Sequence, residues 1–152
     1  MKICFRLLWI KKGVPLRRGF KTAETAALFE DYVSRIKRFI PCEIQGCPSP
    51  EEPFGGGKVV WWCDRGSKAR VLSSEDLAKL LEKTTHDSIR ELHLFIGGAD
   101  GFPKDAEHLF PPAVRWSFGP LTLPHELAAV VASEQIYRGW TILKGLPYHG
   151  GH

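Results

Sequence analysis

The chain has 152 residues, of which 43% are hydrophobic and 25% charged, and its formal net charge is +4. These values are typical of a soluble globular protein and exclude disordered, fibrous and membrane-embedded classes. The length predicts one domain, residues 1–152, and the mild basic excess is compatible with a polyanionic partner without demanding one.

The N-terminal region begins with an apolar stretch and continues into a basic loop. Residues 3–10 are mostly apolar but too few to span a bilayer, so they predict a buried first strand. The loop that follows is equally typical of a solvated surface and of an RNA-facing patch. The cationic residues in and beside it are Lys11, Lys12, Arg17, Arg18 and Lys21, and a second group with the same two interpretations follows on the first helix at Arg35, Lys37 and Arg38.

A helix is predicted over residues 22–39, followed by a short strand and an irregular segment. The core-facing stripe of the helix is expected to comprise Leu28, Tyr32, Ile36 and Phe39. Pro41 ends this helix and precedes a strand at 42–44. Within residues 46–57, three prolines and three consecutive glycines predict a flexible connector. No Walker pattern closes these glycines, which argues against a phosphate loop.

The rest of the chain alternates strands with helices. Ser73 and Asp76 form a capping-box pattern that predicts a second helix, ending near residue 84. A short helix is expected near Pro103, and Pro124 suits the first position of a long terminal helix. Further strands are predicted at residues 58–63, 91–96 and 114–118. This order predicts an α/β fold with a mainly parallel sheet and flanking helices.

The cysteines and three of the histidines show no pattern of a metal site. The cysteines lack the paired spacing that structural zinc requires: Cys4, Cys42, Cys47 and Cys63. We therefore expect reduced thiols in a cytoplasmic protein that binds neither metal nor membrane. The histidines that match no functional pattern are interpreted as structural or exposed: His86, His93 and His108.

Four sequence blocks in the second half occur in the order and spacing of a known family. They are Ile96-Gly97-Gly98-Ala99-Asp100-Gly101, Leu121-Thr122-Leu123-Pro124-His125-Glu126-Leu127, Glu134-Gln135-Ile136-Tyr137-Arg138 and Pro147-Tyr148-His149. Together they resemble the RlmH family of SPOUT-class enzymes, which methylate N3 of a pseudouridine in large-subunit (23S) ribosomal RNA using S-adenosylmethionine. The resemblance is close over residues 90–149 and looser over 1–84. It implies a SPOUT-type α/β knot, in which the C-terminal segment threads through a loop as a trefoil knot.

The resemblance also implies site residues and partners. His149 would contact the substrate base and is the candidate general base, with solvent as the alternative proton acceptor, and Tyr148 would stack on or orient the base. The implied partners are ribosomal RNA in the ribosome and a second copy of the chain. Tyr137, Trp140 and Ile142 are too many apolar groups for an exposed surface, which predicts either a dimer interface on the terminal helix or packing of that helix on its own sheet. The implied cofactor-binding residues are Cys63, Gly98, Gly119, Pro120, Leu121, Thr122, Leu123 and Pro124.

Several of these features have simpler interpretations that the residues leave open. The loop at 97–101 lacks the spacing of a dinucleotide fingerprint and by itself is typical of a tight turn. His125 can organise the loop before the terminal helix, and residues 149–152 can form a frayed tail. Glu134 and Arg138 lie one helical turn apart, which is equally typical of an intrahelical ion pair.

The sequence also departs from the family pattern at three places. Ala129 stands where the family commonly has arginine, and Gly150 stands where it usually has a basic residue. The segment at 46–57 looks shortened, since the family usually places a helix there. Ala129 and Gly150 remove positive charge from positions that the family pattern places near RNA. They leave the cofactor prediction intact and support an alternative function, a ribosomal-RNA-binding homologue without methyltransferase activity.

Overall fold

Six parallel strands form the centre of the molecule, which a computed structural model describes for residues 1–150. The strand order is β2-β1-β5-β3-β6-β4, and every neighbouring pair is parallel. The predicted α/β class with a parallel sheet is thereby confirmed. The strands are β1 (Lys2–Leu7), β2 (Cys42–Gly46), β3 (Lys58–Cys63), β4 (Arg70–Val71), β5 (Glu91–Ile96) and β6 (Val114–Ser117).

Within residues 1–150, four α-helices connect or flank these strands, and two of them start at residues whose side chains cap the helix. The Thr22 hydroxyl accepts a hydrogen bond from the Thr25 amide at 3.3 Å. The Ser73 hydroxyl accepts one from the Asp76 amide at 3.0 Å, as the capping pattern predicts. Pro124 caps the terminal helix instead of being its first residue. The helices are α1 (Ala23–Ile36), α2 (Ser74–His86), α3 (Ala106–Leu109) and α4 (His125–Leu143), with a 3-10 turn at Leu16–Gly19.

One face of the sheet is covered by three long helices. Successive strand residues alternate between faces, so Phe5, Trp61 and Leu94 point to the same side. Helices α1, α2 and α4 bury their apolar stripes there, and the largest core cluster joins residues of all three to the strands. Burying this apolar surface is the main term that stabilises the fold.

The predicted stripe of α1 is partly wrong. Leu28 is 45% exposed, whereas the buried residues of α1 are Ala26, Phe29, Val33 and Ile36. Both sets repeat every three or four residues, so periodicity alone cannot choose between them. The choice is made by Phe29, whose ring packs edge-on against Phe5 and stacks with Phe20. Tyr32 and Phe39 are half-buried at the margin of the core.

The opposite face of the sheet is covered by α3 and by the irregular segment at 47–57. The prediction covered residues 46–57, of which Gly46 ends β2 and 47–57 form no helix or strand. Its Phe54 ring packs against Phe95 at 5.8 Å and against Phe110 at 4.9 Å. A short connector therefore closes a second, smaller apolar cluster without a helix.

A buried polar network occupies the other half of that face. Arg6 is only 4% exposed and donates from Nε to His93 Nδ1 at 3.2 Å and from Nη2 to both oxygens of Glu52 at 2.8 and 2.9 Å. His93 Nε2 in turn bonds the Glu91 carboxylate at 2.9 Å. Burial lowers the pKa of His93, so the ring is neutral in the folded protein. His93 is thus structural, as predicted, but nothing in the local sequence marked Arg6 as buried.

Other features of the fold were either missed or stay predictions. The two-residue strand β4 at the sheet edge was not predicted, since so short a strand has no periodicity of its own. The trefoil knot stays a prediction. Among residues 1–150, no helix combines the length and apolar character that crossing a bilayer requires.

The orientation of α1 can be tested by comparing two neighbouring substitutions. Phe29→Ala removes a fully buried ring and is expected to lower the free energy of unfolding by about 3–5 kcal/mol. Leu28→Ala removes a half-exposed side chain and should change it by less than about 1 kcal/mol. Urea denaturation measures both values. An equal loss for Leu28→Ala would mean that another surface covers Leu28.

The neutral state of His93 predicts a pH dependence of stability. Because its folded pKa lies below the unfolded value of about 6.5, the unfolded chain binds the extra proton as pH falls. The free energy of unfolding should therefore drop below about pH 6.5, by at most about 1.4 kcal/mol per pH unit from this group. Urea denaturation between pH 7.5 and 5.5 should show a shallower drop in His93→Gln. Parallel pH profiles for the two proteins would contradict this.

Candidate functional site

A cavity of about 820 Å³ opens at the carboxyl ends of β3, β5 and β6. Parallel strands all end at the same edge of a sheet, so the loops that follow them meet there. The loops after these three strands build its walls, together with the start of α4. Six of the eight predicted cofactor residues line the cavity: Cys63, Gly98, Leu121, Thr122, Leu123 and Pro124. Gly119 and Pro120 belong to the same loop but do not line it.

The glycine loop after β5 is a tight turn that also forms one wall of the cavity. Gly98 and Gly101 exchange backbone hydrogen bonds of 3.2 and 2.9 Å, and Gly101 has φ +82°. A Cβ atom on Gly97 would lie 3.0 Å from the Gly101 backbone, so a side chain at this position would crowd the turn. Residues 97–101 can therefore be both a tight turn and a binding loop, because the turn exposes their backbone to the cavity.

The loop at 118–124 faces the glycine turn across the cavity. Gly119 adopts φ +103°, and its amide donates to the Ser117 hydroxyl at 3.1 Å, which turns the chain after β6. The Arg65 Nη1 atom donates to the Thr122 hydroxyl at 2.6 Å and so links this loop to the turn after β3. Leu121 is 71% exposed, which leaves an apolar side chain at the rim.

Four charged residues of the cavity were not predicted. Asp64 and Arg65 follow β3, while Lys21 and Glu126 come from distant parts of the chain. The Lys21 amide donates to the Glu126 carboxylate across 105 residues of sequence. Asp64 accepts from the Arg65 amide at 2.7 Å and pairs with Arg115 at 3.4 Å. The position of Asp64 directly after a predicted strand could have marked it as a cavity residue. No sequence pattern could have indicated the Lys21–Glu126 contact.

Trp9 and His125 support the cavity from the side of β1. Their rings meet edge-to-face at 4.5 Å, and Trp9 Nε1 donates to the Gly19 carbonyl at 2.7 Å. His125 lines the cavity as the first residue of α4, which agrees with the interpretation that it organises the loop. A Cβ atom on Gly98 would lie 3.1 Å from the Trp9 Cβ. Trp9 therefore limits what can occupy position 98.

Cys63 contributes a neutral thiol to the cavity wall. Burial raises the pKa of this thiol far above its ordinary value, so the reactive thiolate is not formed near neutral pH. All four cysteines are free thiols, as predicted. A chemical role for Cys63 as a nucleophile is therefore disfavoured, and its contribution is shape and apolar surface.

Tyr148 and His149 do not line this cavity and instead lie against α2 and the middle of α4. Arg138 Nη1 donates to His149 Nδ1 at 3.0 Å, which leaves His149 Nε2 to donate to the Glu75 carboxylate at 2.7 Å. His149 is therefore anchored and not part of a frayed tail, whereas His152 lies outside the described residues. Both ring nitrogens are occupied, so His149 cannot accept a proton here without releasing Arg138.

The same cluster fixes the Tyr148 ring. Its hydroxyl donates to Glu134 at 3.2 Å, and the Arg138 guanidinium lies 4.8 Å from its ring centre. Glu134 and Arg138 form the intrahelical ion pair at 3.1 Å that their spacing allowed. Burial and the nearby Glu134 carboxylate raise the pKa of Tyr148 to about 12. Tyr148 is thus a neutral phenol near pH 7.

The apolar interface candidates on α4 are largely covered within the chain. Trp140 is 7% exposed and stacks on Phe39 at 6.4 Å, while Tyr137 packs beside Tyr32. Trp140 is therefore a core residue of its own chain and not an exposed interface residue, whereas the homodimer itself stays a prediction. Ala129 is also fully buried, so the RNA-facing position assumed for it is wrong.

One side-chain group within residues 1–150 has metal-ligand chemistry. The ligand atoms of Cys4, Glu91 and His93 lie within 4.8 Å of one another. This group belongs to the sheet face opposite the long helices, and His93 is already bonded on both nitrogens, to Arg6 and Glu91. It takes no part in the cavity.

Comparison with known proteins assigns the family. The family model described as predicted SPOUT methyltransferase matches residues 54–149. The chain is 36% identical to a ribosomal RNA large subunit methyltransferase H from Koribacter versatilis, over 97% of this chain and 98% of that protein. A protein of the same name from Pseudomonas paraeruginosa is 42% identical, over 90% of this chain and 76% of its own. The chain belongs to the SPOUT methyltransferase family.

A solved structure shows a weaker likeness. It is a putative methyltransferase from Legionella pneumophila, solved with bound S-adenosylmethionine. The match covers 90% of this chain and 65% of that one, with 14% identity and a TM-score of 0.40. At that level it adds nothing to the family assignment.

The matched region contains almost the whole site of this SPOUT methyltransferase. Both loops that face each other across the cavity, and the Tyr148–His149 pair, fall inside residues 54–149. Lys21 lines the cavity from outside that region. The N-terminal part, which carries Trp9 and the basic loop, is covered by the full-length relatives instead. The resemblance to the RlmH family is thus confirmed over nearly the full chain.

Proposed function

We propose that this SPOUT methyltransferase methylates N3 of a pseudouridine in large-subunit ribosomal RNA with S-adenosylmethionine as methyl donor. The observation that carries the proposal is the cavity at the strand ends, lined by six residues that the family pattern assigns to cofactor binding. Such edges are where open α/β sheets bind ligands. Membership of the family supports the reaction class.

The chemistry of the cavity fits S-adenosylmethionine. Its volume is within the range of cofactor sites, and it combines exposed backbone at Gly97–Gly98 with apolar walls from Ile96 and Leu123. Backbone donors and acceptors between apolar walls suit an adenine ring. The carboxylates of Asp64 and Glu126 would face the ammonium and ribose hydroxyls.

The protein's part in the reaction is alignment and proton removal. S-adenosylmethionine supplies an electrophilic methyl group on a sulfonium, so the acceptor nitrogen needs only to be positioned and deprotonated. His149 is the proposed base for the N3 proton, a role that requires its Nδ1 atom to be released from Arg138. Tyr148 is the residue proposed to orient the target base. With its pKa raised to about 12, Tyr148 is unsuited to be the base itself.

Tyr148 and His149 do not line the cavity of their own chain. We propose a homodimer in which each copy's Tyr148 and His149 serve the other copy's cavity. The exposed apolar side chains of Leu121 and Leu127, at the rim and on the first turns of α4, are consistent with a contact near the cavity.

The alternative function, an RNA-binding homologue without methyltransferase activity, is weakened by the position of Ala129. It rested on Ala129 and Gly150, but the fully buried position of Ala129 has no access to RNA. Methyl transfer to ribosomes from cells lacking the endogenous activity separates the two functions.

Cofactor binding can be tested by titration calorimetry. S-adenosylmethionine should bind the wild-type chain, and Gly98→Val should weaken it by about tenfold or more, since the added side chain crowds Trp9 and narrows the cavity. Ala27→Val, on the exposed face of α1, adds similar bulk away from the cavity and should bind as wild type does. Absence of binding heat in the wild type would rule out the assigned pocket.

Substitution of His149 tests the proposed base. His149→Ala should keep the affinity for S-adenosylmethionine and reduce the rate of methyl transfer by about 10²-fold, the usual scale for a general base. His108→Ala, on the exposed surface of α3, is the matched control. A loss confined to subsaturating RNA would reduce His149 to a substrate-binding residue, and unchanged turnover would remove it from the reaction.

A mixing experiment separates action within a chain from action across the dimer. Gly98→Val retains His149, and His149→Ala retains the cavity, so a mixed dimer has one complete site if the residues act across subunits. The assay uses S-adenosylmethionine near the wild-type Kd, where the Gly98→Val cavity stays largely empty. Co-refolded in equal amounts, the two variants should then recover about a quarter of wild-type activity, because half of the dimers are mixed and each has one complete site. No recovery would indicate that each chain uses its own His149.

A further inference from the structure

A second cavity lies beside the first along the same edge of the sheet. It has a volume of about 340 Å³ and is bounded by the ends of β1 and β2, the basic loop and the start of the irregular segment. Since β1 neighbours β5 and adjacent strands are about 4.8 Å apart, the β1–β2 end lies about 10 Å from the β5–β3 end. One extended ligand can therefore reach both cavities.

The basic loop, residues 11–21, connects the two cavities. Lys11 and Lys12 line the second cavity, and Lys21 lines the first. The loop contains no acidic residue, and both Lys11 and Lys12 are exposed. Arg17 pairs with Glu30 at 3.4 Å. Within residues 1–150, Lys11, Lys12 and Arg18 make no ion pair, so their charges are available to an anion.

This loop is held in place by buried contacts at both ends. The Cys47 amide donates to the Ile10 carbonyl at 2.9 Å. At the other end, Phe20 is buried against Trp9, whose indole holds the Gly19 carbonyl. A fixed loop loses less conformational entropy when it binds than a flexible one. The cations are therefore presented on a rigid support.

The interior of the second cavity is compatible with a negatively charged ligand. Its one carboxylate, Glu52, is bound through both oxygens by the buried Arg6. That ion pair neutralises the acidic group and leaves the lysines as the uncompensated charges. Ile10 and Val14 add an apolar wall on which a base or sugar can pack.

We propose that the second cavity and the basic loop bind the backbone phosphates of the ribosomal RNA strand that adjoins the target nucleotide. This inference rests on the proposed function, because the first cavity must receive the target base. Proteins bind single-stranded nucleic acid by combining cations along the backbone with surfaces on which bases pack. The second cavity provides both, next to the site where methyl transfer would occur.

The test compares wild type with a Lys11→Gln, Lys12→Gln double variant. Binding to ribosomes from cells lacking the endogenous activity is measured over a series of KCl concentrations, together with the kinetics of methyl transfer. The variant should bind about tenfold or more weakly, and the slope of log Kd against log salt should fall by about 2, roughly one for each lysine. KM for ribosomes should rise, with kcat and affinity for S-adenosylmethionine unchanged.

A matched variant makes the result specific. Lys79→Gln with Lys83→Gln removes the same charge from the exposed side of α2 and should keep the wild-type affinity and salt slope. Wild-type binding by the loop variant, or an equal loss in the α2 variant, would overturn the inference while leaving the proposed function intact. Conversely, a wild-type chain that binds ribosomes without methylating them would defeat the proposed function, and the salt slopes would still decide the role of the loop.

Discussion

The close packing of α4 against α2 and the sheet is the constraint on which both the cavity and the position of Tyr148 and His149 depend. It is possible because α4 is buried through small residues, among them Ala132, Ser133 and Gly139. A Cβ atom on Gly139 would lie 2.8 Å from Leu81 Cδ1, so the two helices approach as far as side chains allow. The first turn of α4 thereby reaches the cavity, while its middle holds the C-terminal residues through Arg138.

The opposite face of the sheet follows a different principle, in which a polar network replaces a covering helix. Arg6 on β1 joins His93 on β5 to Glu52 in the irregular segment, so one guanidinium fixes the connector across two strands. A buried charge is tolerated only when it is paired and hydrogen-bonded, and here three of its nitrogens have partners. The shortened segment at 47–57 can therefore cover this face without secondary structure of its own.

Local sequence predicted most of the strands and helices but not the contacts that join them. The bounds of β3 and β5 matched because continuous runs of strand formers end at turn residues. The buried face of α1 did not match its prediction, because two sets of apolar residues have the same spacing. The contact with Phe5 on β1 decides which set is buried, and it cannot be read from the sequence of the helix. In the cavity, the loop residues could be predicted because they belong to short local motifs. Lys21 and Glu126 meet across 105 residues, and no local pattern encodes such a contact.

The distribution of charge says more about a ribosomal RNA partner than the net charge does. An excess of +4 over 152 residues is a weak attraction on its own, and it is screened within about 8–10 Å at physiological salt. The first cavity mixes both signs, since Asp64 and Glu126 lie near Arg65 and Lys21. The second cavity differs, because its carboxylate is already bound by Arg6. The sheet edge thus has one end with charges of both signs, suited to a cofactor that itself carries both signs, and a basic end suited to phosphate.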